Sequence, residues 1–166
     1  MYEACRIAGR YVRHLGGMRW DFSELIRRPP DRAFVTLVRS YLSSVLESDA
    51  PHRGWKIPET ILCLPWIVQL LPDIHYIYWI RDPRDCILGR HLTDELEAFG
   101  IPHEKHEDLH LQRATSWKYQ SEIYKATPKP ARLAEVRFED LVLDQDTTLR
   151  RLEAFLGIPL ARIPVR

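Results

Sequence analysis

The sequence is poor in cysteine, glycine and lysine, and it has no long apolar run. Its three cysteines, Cys5, Cys63 and Cys86, form no CxxC pair and no metal-ligand spacing. An odd, scattered set argues against a disulfide framework and for a reducing compartment. The seven glycines nowhere assemble a GxGxxG or GxxxxGK[ST] phosphate loop. The longest apolar stretch, Ile61 to Leu71, contains Pro65 and Gln69 and is too short to span a bilayer. No charged-then-apolar leader opens the sequence, so no signal peptide is expected and the location is expected to be cytoplasmic. Cations and anions balance to a net charge of +1, which excludes a broad basic face. No nucleic-acid or anionic-lipid partner is therefore expected.

What is present is a globular composition. The 166 residues are 45% hydrophobic and 28% charged, enough to bury one domain's core and too apolar for a disordered chain. Of the 24 cations, 19 are arginine. A guanidinium suits the bidentate grip of a phosphate or sulfate group.

The first fifty residues read as mostly helical. Cys5, Ala8, Val12 and Leu15 share one face of a helix predicted from Tyr2 to Leu15 and ended by Gly16-Gly17. A short helix over Asp21–Arg28 stops at Pro29-Pro30, and Asp31 is placed to cap the next. From Trp55 the pattern changes. A brief extended piece, Gly54–Ile57, runs into a helix opened by Pro58 and reaching about Leu71. Ile74–Ile80 reads as a buried strand, followed by Arg81-Asp82-Pro83-Arg84-Asp85 and a helix to about Ala98. A longer helix is predicted from His103 to Ala126, a strand over Leu133–Phe138, and a last helix capped by Asp146 and closed by Gly157. Strands alternating with helices predict an α/β fold, a parallel sheet flanked by helices.

In such sheets ligands bind beyond the carboxyl ends of the strands. Lys56, Arg81, and Glu139 with Asp140 fall at those ends. Arg81 and Arg84 flank Pro83 at a helix start, an arrangement that suits an anion. The plainer reading is that Arg81 and Asp85 pair and cap the turn. His103, His106 and His110 fall in a helical stretch, with His106 and His110 at i,i+4; they are read as a solvated polar face, and no metal site is expected. Trp55, Trp66, Trp79 and Trp117 are read as core aromatics, Trp117 with the alternative of bordering a cleft.

Three segments, in order, resemble a known family. Pro72 to Asp85 looks like the strand and loop of sulfotransferases that use 3′-phosphoadenosine 5′-phosphosulfate (PAPS). Gly54 to Thr60 resembles their lysine-bearing strand end. Val136 to Leu141, followed by Thr148 to Pro159, resembles their final strand and helix. The resemblance covers about residues 53–160, and it implies a sulfotransferase-type fold akin to P-loop nucleoside-phosphate-binding sheets. It implies transfer of a sulfuryl group from PAPS to an acceptor hydroxyl or amine, without metal, leaving adenosine 3′,5′-bisphosphate (PAP). The expected acceptor is a small molecule or a carbohydrate; the sequence does not identify it, and lipid and protein tyrosine stay open beside carbohydrate and small phenol.

Carried over by position, Arg81 would grip the 3′-phosphate and Lys56 would neutralise charge building on the bridging oxygen. Glu59, three residues after Lys56, is the candidate general base; its alternative is a first-turn helix acid. The departures are specific. Gly89 stands where the family usually has a serine as second 3′-phosphate ligand, a loss of about 1.5–3 kcal/mol unless Arg84, Arg90 or a backbone amide substitutes. Phe138 stands where many members carry tyrosine. Nothing before Trp55 resembles the family's first strand and phosphate loop. The sequence is therefore expected to be a truncated or degenerate relative with uncovered apolar faces and a tendency to self-associate. A non-catalytic remnant and a helical interaction module are the alternatives.

Overall fold

A computed structural model describes residues 1–162. The N-terminal half is helical, with one small hairpin. Helix α1 spans Tyr2–Gly9, and strands β1 (Arg13–His14) and β2 (Trp20–Asp21) pair antiparallel. The predicted helix over Tyr2–Leu15 therefore ends six residues early. Gly16 and Gly17 both adopt positive φ, at 91° and 56°. They turn a hairpin rather than terminate a helix, because only glycine takes consecutive left-handed angles without strain.

Helices α2 (Ser23–Arg27), α3 (Arg32–Tyr41) and α4 (Ser43–Leu46) follow. Asp31 stands at the start of α3, but its carboxylate does not cap the helix; it accepts the Tyr11 hydroxyl at 2.8 Å. A 3₁₀ helix over Pro58–Cys63 leads into α5 (Leu64–Leu70). These elements share one core. Phe34 packs edge-on against Trp66, whose indole N–H donates to the Arg28 carbonyl at 3.0 Å. Cys5, Leu25, Leu62 and Ile67 are buried with them.

The second half carries the sheet. Strand β3 (Tyr76–Ile80) is followed by α6 (Pro83–Leu88), two 3₁₀ turns (Leu92–Asp94 and Leu96–Phe99) and α7 (Leu109–Ala126). Then come β4 (Leu133–Arg137), α8 (Phe138–Leu143) and α9 (Gln145–Leu156). Strands β3 and β4 pair in parallel, with Tyr76 opposite Leu133 and Ile80 opposite Arg137. The molecule is thus α/β, with a small parallel sheet and flanking helices.

Gly54–Ile57 joins no strand among the described residues. Instead the Trp55 indole reaches forward to the Thr60 hydroxyl at 3.4 Å, folding the segment onto its own 3₁₀ helix. The helix expected to about Ala98 stops at Leu88, because His91 and Asp94 cap a new turn reciprocally. The helix expected from His103 begins only at Leu109, where the Asp108 carboxylate accepts the amides of His110 and Leu111. The last helix is capped by Asp144, which accepts the Thr147 amide; Asp146 pairs instead with Arg162.

Strand β3 is not buried on both faces. Ile77 and Trp79 are 42% and 46% exposed, although the strand is apolar at every position. On the other face Tyr78 stacks on Tyr124 of α7, with ring centroids 3.5 Å apart, and the Tyr124 hydroxyl bonds to Glu135 of β4. Helix α9 covers the β4 side, where Val136 and Leu152 are buried.

Candidate functional site

The carboxyl ends of β3 and β4 meet in a small polar cluster, because the parallel register sets Ile80 beside Arg137. Chain leaves β3 through Arg81 and Asp82 into α6, and leaves β4 directly into α8. Glu139 of α8 reaches across: its Oε1 accepts the Asp82 amide at 2.8 Å. Its Oε2 is buried without a hydrogen-bond partner and lies 3.8 Å from Arg137 Nε.

Asp82 caps α6 and clamps Arg84. Its Oδ1 accepts the Arg84 amide at 2.8 Å and Nε at 2.9 Å, while Oδ2 accepts Nη2 at 2.7 Å. Chiefly through that guanidinium contact, the Asp82 carboxyl is pulled down to about 2. Glu139 is also held below the usual carboxylate range, first by the Asp82 amide. The helix start that the sequence offered to an external anion is filled by the chain's own carboxylate, and the same carboxylate neutralises Arg84.

Arg81 is held differently. Its Nη2 lies 3.6 Å from Asp85 Oδ2, beyond hydrogen-bond range, and its guanidinium sits over the Phe138 ring at 4.8 Å from the centroid. This contact uses none of the guanidinium N–H donors. With 48% of its side chain exposed, Arg81 presents those donors to solvent at the carboxyl edge of the sheet. Gly89 ends α6 at φ −102°, ψ 151°, and a Cβ placed there would meet no atom within 4 Å. Arg81, Arg84 and Gly89 therefore share one strand–turn–helix unit, and Arg81 is the one of its two arginines without a tight carboxylate partner.

Lys56 and Glu59 stand elsewhere. Lys56 is exposed on the 54–57 segment, and Glu59 lies in the 3₁₀ helix, 7% exposed, where its carbonyl accepts the Cys5 thiol at 3.4 Å. Among the described residues no hydrogen bond, ion pair or ring contact joins either to Arg81, Arg84 or Gly89. Sequence reasoning placed Glu139 at this edge but missed Asp82 as the organising residue. The signal was an aspartate directly before Pro83, since proline in the first turn marks the preceding residue as a helix cap.

The histidines do not converge. His106 to His110 spell the His-Glu-x-x-His order of a helical zinc site. The helix that order requires starts after Asp108, so His106 lies outside it. His103 bonds to the Ile101 carbonyl at 2.8 Å, and His110 approaches the Ile87 carbonyl at 3.4 Å. No group of three or more His, Cys, Asp or Glu among the described residues is placed to hold a metal ion. Trp66 is a core aromatic, Trp55 and Trp117 are half-buried, and Trp79 is an exposed sheet residue, against expectation. A groove of ≈ 440 Å³ runs along β4 beneath α9, lined by Val136, Arg137, Thr148, Arg151, Leu152 and Phe155; Arg81 is not part of its lining. No helix among the described residues is long and apolar enough to cross a membrane.

A model of the sulfotransferase family matches residues 1–162, a span that includes the helical segment before Trp55. No curated protein and no solved structure matches the chain significantly.

Proposed function

The chain belongs to the sulfotransferase family, and from that premise we propose that it takes PAPS as donor, grips the 3′-phosphate with Arg81, and serves sulfuryl transfer to a hydroxyl or amine of a small-molecule or carbohydrate acceptor. The observation that carries this reading is the state of Arg81: seated over the Phe138 ring, half exposed, and without a hydrogen bond among the described residues. A phosphate there would gain charge-assisted, bidentate bonds at little ordering cost.

PAPS, when bound, supplies an activated sulfuryl group. The residues around Arg81 do the rest of what can be assigned to them. The Glu139–Asp82–Arg84 chain stiffens the turn and keeps Arg84 neutralised, so that Arg81 alone meets the phosphate. The open position at Gly89 leaves the second phosphate ligand of the family unfilled. Lys56 is the group proposed to neutralise developing charge, and Glu59 the proton acceptor; for Glu59 this requires local opening, since its side chain is buried.

The sheet is read as part of a P-loop-type nucleoside-phosphate-binding sheet from which the first strand and its loop are missing, within one domain spanning 1–166. The exposed apolar face of β3 supports that reading and favours self-association. A second reading, a remnant that binds only the 3′-phosphate half of the nucleotide, is favoured by the lack of contact between Lys56, Glu59 and the Arg81 cluster. Calorimetric titration with PAP, beside AMP and beside Arg81→Ala, tests the binding claim. PAP binding that AMP does not match and that Arg81→Ala loses supports it. Equal binding of PAP and AMP, or none by the folded chain, overturns it.

A further inference from the structure

Cys5 and Cys63 are 58 residues apart in sequence, yet α1 and the 3₁₀ helix bring their Sγ atoms to 4.0 Å. Both side chains are fully buried. The Cys5 thiol also donates to the Glu59 carbonyl at 3.4 Å, and the Cys63 thiol to the Thr60 carbonyl at 3.7 Å. All three cysteines are free thiols, as the spacing predicts, but the fold sets one distant pair side by side. Nothing in the proposed sulfuryl transfer uses either thiol.

We propose that Cys5 and Cys63 are a modification site: a pair that a hydroperoxide converts to a reversible intramolecular disulfide. Closing the bond asks the sulfurs to approach by about 2 Å, since a disulfide spans about 2.05 Å. The partners are a helix of eight residues and a 3₁₀ helix, whose hydrogen-bond geometry is poorer than an α-helix's. In the packed state the contact with Cys5, and then burial, raise the Cys63 thiol well above its ordinary range. Oxidation therefore proceeds through transient opening of α1. One thiol gives up its proton, its thiolate attacks hydrogen peroxide, the O–O bond breaks to give a sulfenic acid and hydroxide, and the hydroxide takes up that proton as water. The second thiol displaces hydroxide from the sulfenic sulfur, giving the S–S bond and a second water, so two electrons pass from the two sulfurs to the peroxide. The product ties α1 to the helix that follows Lys56. A disulfide closing so long a loop constrains the unfolded chain strongly.

The experiment uses the full chain carrying Cys86→Ser, so that Cys86, which is only partly buried in α6, cannot cross-react. The protein is treated with hydrogen peroxide at low micromolar concentration, alkylated, and measured by intact mass and peptide mapping. The expected result is loss of two hydrogens, a linked Cys5–Cys63 peptide, a Tm raised by about 5–15 °C, and reversal by dithiothreitol. Adding Cys63→Ser should abolish the linked peptide and the Tm shift, with circular dichroism confirming that this variant folds. Recovery of both thiols in alkylated form, or mass gains of oxygen without a linked peptide, overturns the proposal.

Discussion

The helical half of the molecule and its sheet make opposite use of apolar residues. In the helical half Leu25, Phe34, Leu62 and Trp66 are closed from solvent, packed among α1, α3, α5 and the 3₁₀ helix. In the sheet, Ile77 and Trp79 lie open on β3, and Arg81, the proposed phosphate ligand, and Asp82 follow its end. The difference separates two tasks. Most of the closed core is built by helices, and the proposed anion site lies on a thinly covered sheet held by side-chain contacts such as Tyr78 on Tyr124.

The sharpest way to break that comparison is to remove one tryptophan from each half. Trp66→Ala deletes a buried ring and the bond to Arg28, and is expected to cost about 3–5 kcal/mol in chemical denaturation. Trp79→Ala removes a half-exposed ring and should cost less than about 1 kcal/mol. Similar losses at both positions would erase the distinction.

Next in size is Arg81→Ala. Loss of charge-assisted bonds to a phosphate is expected to weaken PAP binding about tenfold or more, read by calorimetry. The melting temperature should not move, because Arg81 makes only a long ion pair and a ring contact. A variant that unfolds would place Arg81 in the structural half of the comparison. Gly89→Ser should have the reverse sign and a smaller size. Its Cβ has open space and its φ is ordinary, so stability is retained. The new hydroxyl is expected to tighten PAP binding by several-fold, about 1 kcal/mol.

The smallest effect is a pH dependence found in both halves. Asp21 in the hairpin and Asp82 at the sheet edge are both pulled down to about 2, Asp21 chiefly by Ser23 and Asp82 chiefly by Arg84. A carboxylate lowered in the folded state contributes stability that is full above its unfolded value near 3.8 and is lost as pH falls through about 2. Asp21→Asn and Asp82→Asn should each flatten the acid limb of the stability profile over that interval. Only Asp82→Asn should also alter PAP binding, since it frees Arg84.

Local chemistry made much of this legible in the sequence. The apolar run of β3, the Pro128–Pro130 stop after α7, the strand at Leu133 and the Gly157 closure of α9 each carry a short-range signal, and each is found within a few residues of its expected place. The hairpin at Gly16-Gly17 was hidden because a glycine pair ends helices and turns strands alike. The strand expected at Gly54–Ile57 failed because a strand needs a pairing partner, which composition does not reveal. The candidate site was half visible. The position of Arg81 after β3 followed from the sequence pattern, whereas the Asp82–Glu139 contact and the Cys5–Cys63 approach depend on residues 57 and 58 positions apart.

The central claim is that an anion site stands on the sheet while stability rests in the helical core. Hydrogen exchange read by mass spectrometry, with and without PAP, tests both parts at once. The expected result is slow exchange in α3 and α5 in either state, with PAP-dependent protection confined to the end of β3 and the first turns of α6. Unchanged exchange over residues 80–90 in the presence of PAP, or faster exchange in those core helices than in β3, would contradict it.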